Sequence, residues 1–318
     1  MKILIYGAGV IGTTYGWQLS LTGHEVTLLV RKGKKEAVQN GVTIRCQDER
    51  LKSPKKVETV FHAPVVDSFS SQDRYDLVLV CLKSNQLEPL LPDLAQNAGK
   101  ADILFFQNNW WGDEKIGQYL PPEQHLFGFS RLVGGWRSPD AVECIIFNSP
   151  GMSTLVGEID GKPSPRLEKL AAALQAAGLK PETSADILSW LKFHYVEYLG
   201  ATGAILKAGT AKAFASQADL VREALLATRE ALAVCRARGV PMKAAPFNMR
   251  MYSLPLGLIV RLGQRQYQSA NIQTFFDENI RNGLDEIAAQ YQDVLAEGQR
   301  LSVPMPVLTG LGQYFRRK

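Results

Sequence analysis

A glycine-rich hexapeptide near the N-terminus has the residue types and spacing of a phosphate-binding loop. Its residues are Gly7, Ala8, Gly9, Val10, Ile11 and Gly12. A short apolar run precedes it at 3–6, an amphipathic segment follows it, and a second apolar run covers 26–30. This order predicts a strand, a glycine turn, a helix and a second strand. Such a unit binds the pyrophosphate of a dinucleotide at the N-terminus of its helix.

Two other interpretations of this segment need no nucleotide. A glycine-rich turn also occurs in α/β proteins that bind no cofactor. A secretory signal peptide is the second alternative, because Lys2 precedes apolar residues. Polar and glycine residues interrupt the apolar stretch and no small-residue cleavage site follows, so we do not expect a signal peptide.

The residue after the second apolar run predicts which dinucleotide is bound. Sites for NAD usually have Asp or Glu there to bond the ribose 2′-hydroxyl, whereas an arginine favours a 2′-phosphate. Arg31 occupies this position, and Lys32, Lys34 and Lys35 lie close behind it. We therefore predict NADP(H) as the cofactor. The alternative is a solvated basic loop that binds nothing.

Composition indicates an ordinary globular protein that is long enough for two domains. The chain has 318 residues, of which 46% are hydrophobic and 21% charged, enough for two domains with a large core. No apolar run is long enough to cross a bilayer. The net charge of +5 is scattered, without the basic and aromatic stripe typical of nucleic-acid binding. We expect no nucleic acid, membrane or metal partner.

Cysteine usage predicts the compartment. The cysteines are widely spaced and form no CxxC pair, which favours reduced thiols in a cytoplasmic protein over a disulfide framework or a zinc site. They are Cys46, Cys81, Cys144 and Cys235.

Strands alternate with helices in the first half of the chain, which predicts a parallel, doubly wound sheet. We expect strands at 2–6, 25–30, 42–46, 57–61, 76–82, 101–106, 125–133, 142–148 and 153–159. The polar connection within 42–61 contains Pro54 and predicts a hairpin inserted into the parallel order. The segment 165–178 has helical periodicity and ends at Gly178.

Helical periodicity dominates after residue 184. We predict helices within 185–206, 216–238 and 284–300. The expected fold is therefore α/β, with a Rossmann-type dinucleotide-binding domain over 1–183 and an all-helical domain over 184–318.

Motifs spread along the chain together match one family. They are residues 7–12 with Arg31, the strand end Leu79–Lys83, the segment Phe105–Asn108, the segment Trp190–Lys192, and Asp285–Ile287 followed by Ser302–Pro306. With these motifs in this order, the chain resembles the ketopantoate reductase (2-dehydropantoate 2-reductase) family as a divergent member. The family has Glu-Ile-Asp and then Gly-Val-Pro-x-Pro at the positions of the last two motifs.

The resemblance implies a two-domain, homodimeric reductase of pantothenate biosynthesis. Such an enzyme uses NADPH to reduce a 2-oxo acid at a cleft between its domains. By resemblance, Lys192 is the general acid and Glu286 its partner, and Asn108 is a further catalytic residue. Cofactor contacts are implied for Lys83, Asn108 and Glu286, in addition to the glycine motif and Arg31. Contacts with the substrate are implied for Asn271 and Thr274.

Carbonyl reduction explains why a lysine is suitable. The carbonyl oxygen gains negative charge, which an ammonium can stabilise and then protonate. Burial lowers a lysine pKa toward neutrality. On a helix, Lys192 shares a face with Val196, Leu199, Gly200 and Gly203, so we expect dry surroundings.

Each of these residues also has a structural alternative. Lys192 could extend from a helix surface with its ammonium in solvent, and Glu286 could be an acid favoured in a first helical turn. Lys83 could simply end a strand and Asn108 form a turn. We expect a structural role for His194, which faces away from Lys192.

Several positions depart from the family pattern. The family has asparagines where this chain has Val196, Gly200 and, approximately, Thr210; Asn109 replaces a glycine, and two tryptophans follow it at 110–111. We expect Val196 and Gly200 to add space and apolar surface, and therefore a bulkier or more apolar 2-oxo acid. The tryptophans either lie near the nicotinamide or pack between domains. The alternative functions are a D-2-hydroxyacid dehydrogenase and a non-catalytic NADP(H)-binding sensor.

Overall fold

The chain folds into two compact units. The computed structural model describes residues 1–50, 53 and 55–316. The first unit comprises Met1–Asn108 and Gly112–Leu188, and the second comprises Asn109–Trp111 and Ser189–Lys318. The division therefore follows Leu188, a few residues beyond the predicted boundary at 183. The amide of Ser184 donates to Val156 O (2.9 Å), which keeps this segment with the first unit.

The first unit contains the strands and three of the helices found among the described residues. Its strands are β1 (Lys2–Tyr6), β2 (Glu25–Leu29), β3 (Val42–Asp48), β4 (Lys55–Phe61), β5 (Val65–Val66), β6 (Leu77–Val80), β7 (Asp102–Phe106), β8 (His125–Ser130), β9 (Val133–Arg137), β10 (Ala141–Ile146), β11 (Thr154–Gly157) and β12 (Pro181–Thr183). Its helices are α1 (Val10–Ser20), α2 (Leu91–Asn97) and α3 (Pro165–Ala176). Short 3₁₀ helices cover Ser71–Asp73, Ser84–Gln86, Glu88–Leu90, Ile116–Gln118 and Pro122–Gln124.

A largely parallel sheet forms the centre of the first unit, as the sequence predicts. Its strand order in the described chain is β12-β11-β8-β7-β6-β1-β2-β5, and β11 runs antiparallel to β8. The chain builds outward from β1 through β2 on one side and from β6 through β7 and β8 on the other. The order therefore reverses between β1 and β6. Ligands of such sheets bind beyond the carboxyl ends of the strands at this point.

The predicted hairpin is present but belongs to a second sheet. β3 and β4 pair antiparallel over Val42–Asp48 and Lys55–Phe61, and the order of this sheet is β4-β3-β10-β9. Insertion of the hairpin into the parallel order was therefore wrong. Pro54, in the connection, lies outside the described residues.

The single strand predicted at 125–133 is also wrong. The chain turns after β8, where the amide of Val133 donates to Ser130 Oγ (3.2 Å). β9 then pairs with β10 in the second sheet. The turn therefore separates one apolar run into strands of two different sheets.

Helix α1 is buried on all sides, so the prediction of an amphipathic helix was wrong. Every residue from Gly12 to Leu19 is buried, because α1 contacts β1 and β2 of the parallel sheet and β9 and β10 of the second sheet. The phenol of Tyr15 hydrogen-bonds to Ser130 Oγ (3.0 Å) and Thr154 Oγ1 (2.6 Å). Burial raises the pKa of this phenol. Packing from two sheets thus fixes the helix that follows the glycine motif.

The second unit is helical throughout its described residues. Its helices are α4 (Ile187–Glu197), which begins just before the boundary, α5 (Leu199–Ala208), α6 (Ala211–Ala215), α7 (Ala218–Ala237), α8 (Phe247–Arg250), α9 (Leu256–Tyr267), α10 (Ala270–Arg300) and α11 (Pro306–Phe315). Short 3₁₀ helices cover Met242–Ala244 and Met251–Ser253. Among the described residues, no helix is both long enough and apolar enough to span a membrane.

Helix lengths differ from the sequence prediction at two points. The helical segment 185–206 is divided at Tyr198 into α4 and α5. The helix predicted at 284–300 is the last part of α10, which begins at Ala270. The first part of α10 escaped prediction because exposed residues such as Asn271, Thr274 and Phe275 interrupt its apolar periodicity.

Close packing of α5 against α7 depends on Gly200. A Cβ atom at this position would lie 2.2 Å from Ala224 O and 2.6 Å from Thr228 Oγ1. Gly310, on α11, contrasts with it because a Cβ there would have no neighbouring atom within 4 Å. Substitution of these two glycines by alanine therefore separates the effect of helix packing from the effect of helix propensity.

We expect Gly200→Ala to lower the free energy of unfolding by about 1–3 kcal/mol, because α5 and α7 must separate to admit the methyl group. Gly310→Ala is the matched control and should raise it by about 0.5–1 kcal/mol through helix propensity and chain entropy. Urea midpoints at an unchanged m value measure both effects. A Gly200→Ala protein as stable as the control would contradict the packing.

Candidate active site

The glycine loop, residues 7–12, has three glycines in three different environments. Gly7 has φ +110°, and a Cβ there would lie 2.7 Å from Cys81 O. A Cβ on Gly12 would lie 2.2 Å from Gly7 O. Gly9 is exposed, and a Cβ there would meet no atom within 4 Å. The loop is therefore tightly packed at both ends and open to a ligand at its centre.

An arginine that is distant in sequence contacts this loop. Arg137, the last residue of β9, donates from Nη1 to Ala8 O at 2.9 Å. The two residues are far apart in sequence, and β9 was predicted only as part of a longer strand. No pattern in the sequence indicates this contact.

Three predicted cofactor residues follow parallel strands that lie on either side of the reversal of strand order. Arg31 is exposed after β2, Lys83 is half-buried after β6, and Asn108 is half-buried after β7. Since these strands are parallel, all three residues lie beyond the same edge of the sheet. This is the edge at which a doubly wound sheet binds its ligand.

Gln107, directly before Asn108, is buried with an incomplete set of hydrogen bonds. It is 6% exposed, and neither its amide oxygen nor its amide nitrogen has a hydrogen-bond partner among the described residues. More than nine in ten buried polar groups in proteins are paired. Gln107 belongs to the motif Phe105–Asn108, but the motif predicts no role for it, because burial without a partner is visible only in the fold.

In the second unit, Lys192 lies half-buried on α4 among apolar residues. Val196 and Leu199, one and two turns later, are fully buried, and Cys235 Sγ donates weakly to Lys192 O at 3.8 Å. Two of the apolar residues expected on the Lys192 face are therefore buried. The expected extra space is not present, because Val196 is a core residue and α7 occupies the volume beside Gly200.

The opposite face of α4 carries a stack of aromatic rings. His194 stacks on Trp190 with ring centroids 4.9 Å apart and contacts the edge of Tyr198 at 5.6 Å. Its Nδ1 lies 3.1 Å from Glu197 Oε2. These contacts hold the His194 ring between two aromatic neighbours and a carboxylate, and its structural role stays a prediction.

The segment 109–111 joins the core of the second unit. Trp110 is 1% exposed and stacks on Tyr195, with ring centroids 5.5 Å apart. Arg238 donates to Trp110 O (2.6 Å) and lies 4.6 Å from the centroid of its ring. Two roles were predicted for the tryptophans, a place near the nicotinamide or packing between domains. Trp110 does pack, but against residues of the second unit.

The same arginine forms a buried ion pair. Arg238 Nε lies 3.1 Å from Glu297 Oε1, and both side chains are nearly inaccessible to solvent. Hydrogen bonds from Arg300 and the charge of Arg238 hold the pKa of Glu297 below its usual value. The ion pair therefore fixes the arginine that binds Trp110.

Helix α10 carries the remaining predicted residues of the second unit. Asn271 and Thr274 are exposed in its first two turns, and Glu286 is half-buried near its middle. The alternative of a first-turn acid is therefore wrong for Glu286, because α10 begins much earlier than predicted. Thr210, at a family asparagine position, caps α6 by accepting from the Ala213 amide (3.1 Å).

Comparisons with known proteins agree with this architecture. Residues 3–145 match the family described as Ketopantoate reductase PanE/ApbA. The 2-dehydropantoate 2-reductase of Mesorhizobium japonicum is 28% identical over 214 residues, covering 60% of this chain and 63% of that protein. The enzyme of the same name from Lactococcus lactis is 26% identical over 192 residues, covering 59% and 58%. The aligned part is thus about three-fifths of these relatives' length.

Solved structures with this fold cover almost the whole chain. The 2-dehydropantoate 2-reductase from Geobacter metallireducens superposes with a TM-score of 0.72 at 21% identity, over 99% of both chains. D-mandelate dehydrogenase, solved with NADH and anilino(oxo)acetate, gives a TM-score of 0.74 at 18% identity, over 99% of this chain and 97% of that one. The resemblance inferred from the motifs is confirmed: residues 3–145 match the Ketopantoate reductase PanE/ApbA family, and the chain is similar, at low identity, to proteins named 2-dehydropantoate 2-reductase.

Proposed function

We propose that this protein is an NADP-dependent oxidoreductase that reduces a 2-oxo acid to a 2-hydroxy acid. The observation that carries the proposal is the glycine loop, open at Gly9 and followed by Arg31 after β2, within a PanE/ApbA domain. The relatives named for 2-dehydropantoate reduction support the same reaction class.

The residues of the first unit fit a dinucleotide. The open position at Gly9 admits a pyrophosphate against the loop backbone. The unpaired amide of Gln107 offers two N–H donors and an acceptor oxygen to a polar ligand group. Arg31 would bind the 2′-phosphate, and Lys83 and Asn108 would contact the other half of the cofactor. When bound, NADPH supplies the hydride.

We assign the proton to Lys192. As the carbonyl carbon is reduced, its oxygen gains charge that a neighbouring ammonium stabilises and protonates. Closer burial of the ammonium among apolar residues would favour release of that proton, since a low dielectric disfavours the charged lysine. The carboxylate of Glu286 would hold the ammonium in place and oppose the loss of its charge. Asn108 would orient the substrate or cofactor, and Asn271 and Thr274 would bind the substrate.

A D-2-hydroxyacid dehydrogenase acting on a more apolar acid is the second candidate. The family asparagines are absent from positions 196 and 200, where Val196 and Gly200 offer no polar side chain. A polyhydroxylated acid would lose hydrogen-bond partners there, which is costly for a buried polar group. D-mandelate dehydrogenase is a structural neighbour of this fold. This candidate is supported by the absence of polar side chains at positions 196 and 200, and not by additional space there.

We expect Arg31→Met to weaken NADPH binding by about 10- to 100-fold, the loss of one charge-assisted contact of about 1.5–3 kcal/mol. The affinity for NADH, which lacks the 2′-phosphate, should stay within threefold of the wild-type value. Fluorescence titration of both cofactors measures the difference, and Lys34→Met controls for general loss of charge in the basic loop. Equal affinity of the wild-type protein for NADPH and NADH would contradict the assignment to NADP.

We expect Lys192→Ala to lower kcat by about 100- to 10,000-fold, the usual contribution of a general acid. The Kd for NADPH should change little. The assay is NADPH oxidation with a panel of 2-oxo acids that contains both 2-dehydropantoate and aromatic members. Lys207→Ala is the control, because this exposed lysine on α5 pairs with Glu223 (2.8 Å).

Three outcomes of this panel separate the candidates. Turnover that survives Lys192→Ala would overturn the lysine assignment. Preference for aromatic over hydroxylated acids would favour the dehydrogenase. NADPH binding without turnover of any acid would favour a sensor.

We expect Gln107→Met to raise the free energy of unfolding of the cofactor-free protein by about 1–2 kcal/mol, because two buried, unpaired atoms are replaced by apolar ones. The same change should weaken NADPH binding. Gln18→Met is the matched control: Gln18 is equally buried, but its Oε1 accepts from Arg50 Nη2 at 2.9 Å, so this change should destabilise the protein. A loss of stability in both variants would contradict the interpretation of Gln107.

A further inference from the structure

Arg137 makes a single contact at the glycine loop. Its Nη1 donates to Ala8 O at 2.9 Å. The side chain is exposed. Among the described residues, the bond to Ala8 O is the one hydrogen bond of this side chain, and no carboxylate forms an ion pair with it. A guanidinium has five N–H donors in a planar fork. Most of its donors, and its full charge, therefore remain available beside the loop.

The backbone of β9 has an unusual conformation that brings Arg137 to this place. Gly135, two residues earlier, has φ +148°, and a Cβ there would lie 2.0 Å from Glu143 O on β10. Only glycine fits this position. β9 also contacts α1, the helix that follows the glycine loop. The end of the strand is therefore held close to the loop by its own sheet and by the helix.

The exposed guanidinium beside the glycine loop favours an anionic ligand. The arginine's bond to Ala8 O directs a positive group at the loop, and Gly9, the next residue, is exposed and unobstructed. The fork of a guanidinium matches two oxygens of a phosphate. A pyrophosphate bound on the loop backbone would thus meet a charged donor from the second sheet as well as main-chain amides.

We propose that Arg137 binds the pyrophosphate of the dinucleotide, as a charged donor supplied to the glycine loop by the second sheet. This assignment rests on the proposed function, since it requires a dinucleotide on the loop. It divides the recognition of NADPH between two arginines. Arg31 recognises the 2′-phosphate, which NADH lacks, and Arg137 recognises the pyrophosphate, which both cofactors share.

The test compares three variants with three ligands. Arg137→Met should weaken NADPH and NADH equally, by about 10- to 100-fold, the value of one charge-assisted contact. It should leave the affinity for 2′-AMP, which has no pyrophosphate, unchanged. Arg31→Met should show the opposite pattern, weakening NADPH and 2′-AMP but not NADH. Arg137→Lys should recover part of the loss, because a lysine keeps the charge without the planar fork.

Lys56→Met is the matched control for loss of one positive charge. Lys56 is exposed on β4, at the opposite edge of the same sheet in the strand order. This variant should bind all three ligands as the wild type does. Calorimetric titration at two salt concentrations measures the affinities, and urea midpoints show whether each variant is folded.

Each other outcome has one meaning. If the wild-type protein binds neither dinucleotide, the proposed function fails. If it binds both and Arg137→Met binds them equally well, only the role of Arg137 is overturned. If Arg137→Met also weakens 2′-AMP to the same extent, the arginine shapes the loop and does not bind the pyrophosphate, and the proposal is again overturned.

Discussion

Burial of α1 between two sheets is the constraint on which the first unit depends. A helix that begins with a glycine loop normally keeps one face in solvent, but here every residue from Gly12 to Leu19 is buried. The parallel sheet covers one side, and β9 and β10 cover another. The glycine loop is consequently held in position at Gly7 and Gly12 by atoms of β1 and the segment after β6. The same packing places β9, and with it Arg137, beside the loop.

The sequence predicted the parallel sheet because its strands are buried apolar runs separated by helical segments. It could not predict the second sheet. A period of two shows that a strand has one buried face but does not show which strand it pairs with, so the hairpin at 42–61 was placed in the wrong sheet. The segment 125–133 looks like one strand because the turn after Ser130 contains neither proline nor glycine. The start of α10 was missed for a related reason, because its first turns expose Asn271 and Phe275.

The predicted site residues share one property: each is identified by its type and local spacing. Arg31 and Asn108 follow strands, and Lys192 lies on a helix, as their motifs require. Residues that depend on distant neighbours were not identifiable in this way. Arg137 acquires its contact only when β9 folds against α1, and Gln107 shows its unpaired amide only when β7 is buried. Val196 and Gly200 were correctly recognised as apolar, but the space around them is set by packing that the sequence does not reveal.

Gln107 and Arg137 of the first unit are both incompletely paired, and they are of opposite kinds. Gln107 is buried without a hydrogen-bond partner among the described residues, which destabilises the folded state. Arg137 is exposed and lacks an ion pair in the same part of the chain, which costs little in water because the charge stays solvated. A ligand that pairs both groups would gain more binding free energy from Gln107 than from Arg137. The amide of Gln107 is already desolvated in the folded protein, whereas the guanidinium of Arg137 must still lose water. A ligand that binds only the native state and pairs Gln107 would therefore stabilise the folded first unit by mass action.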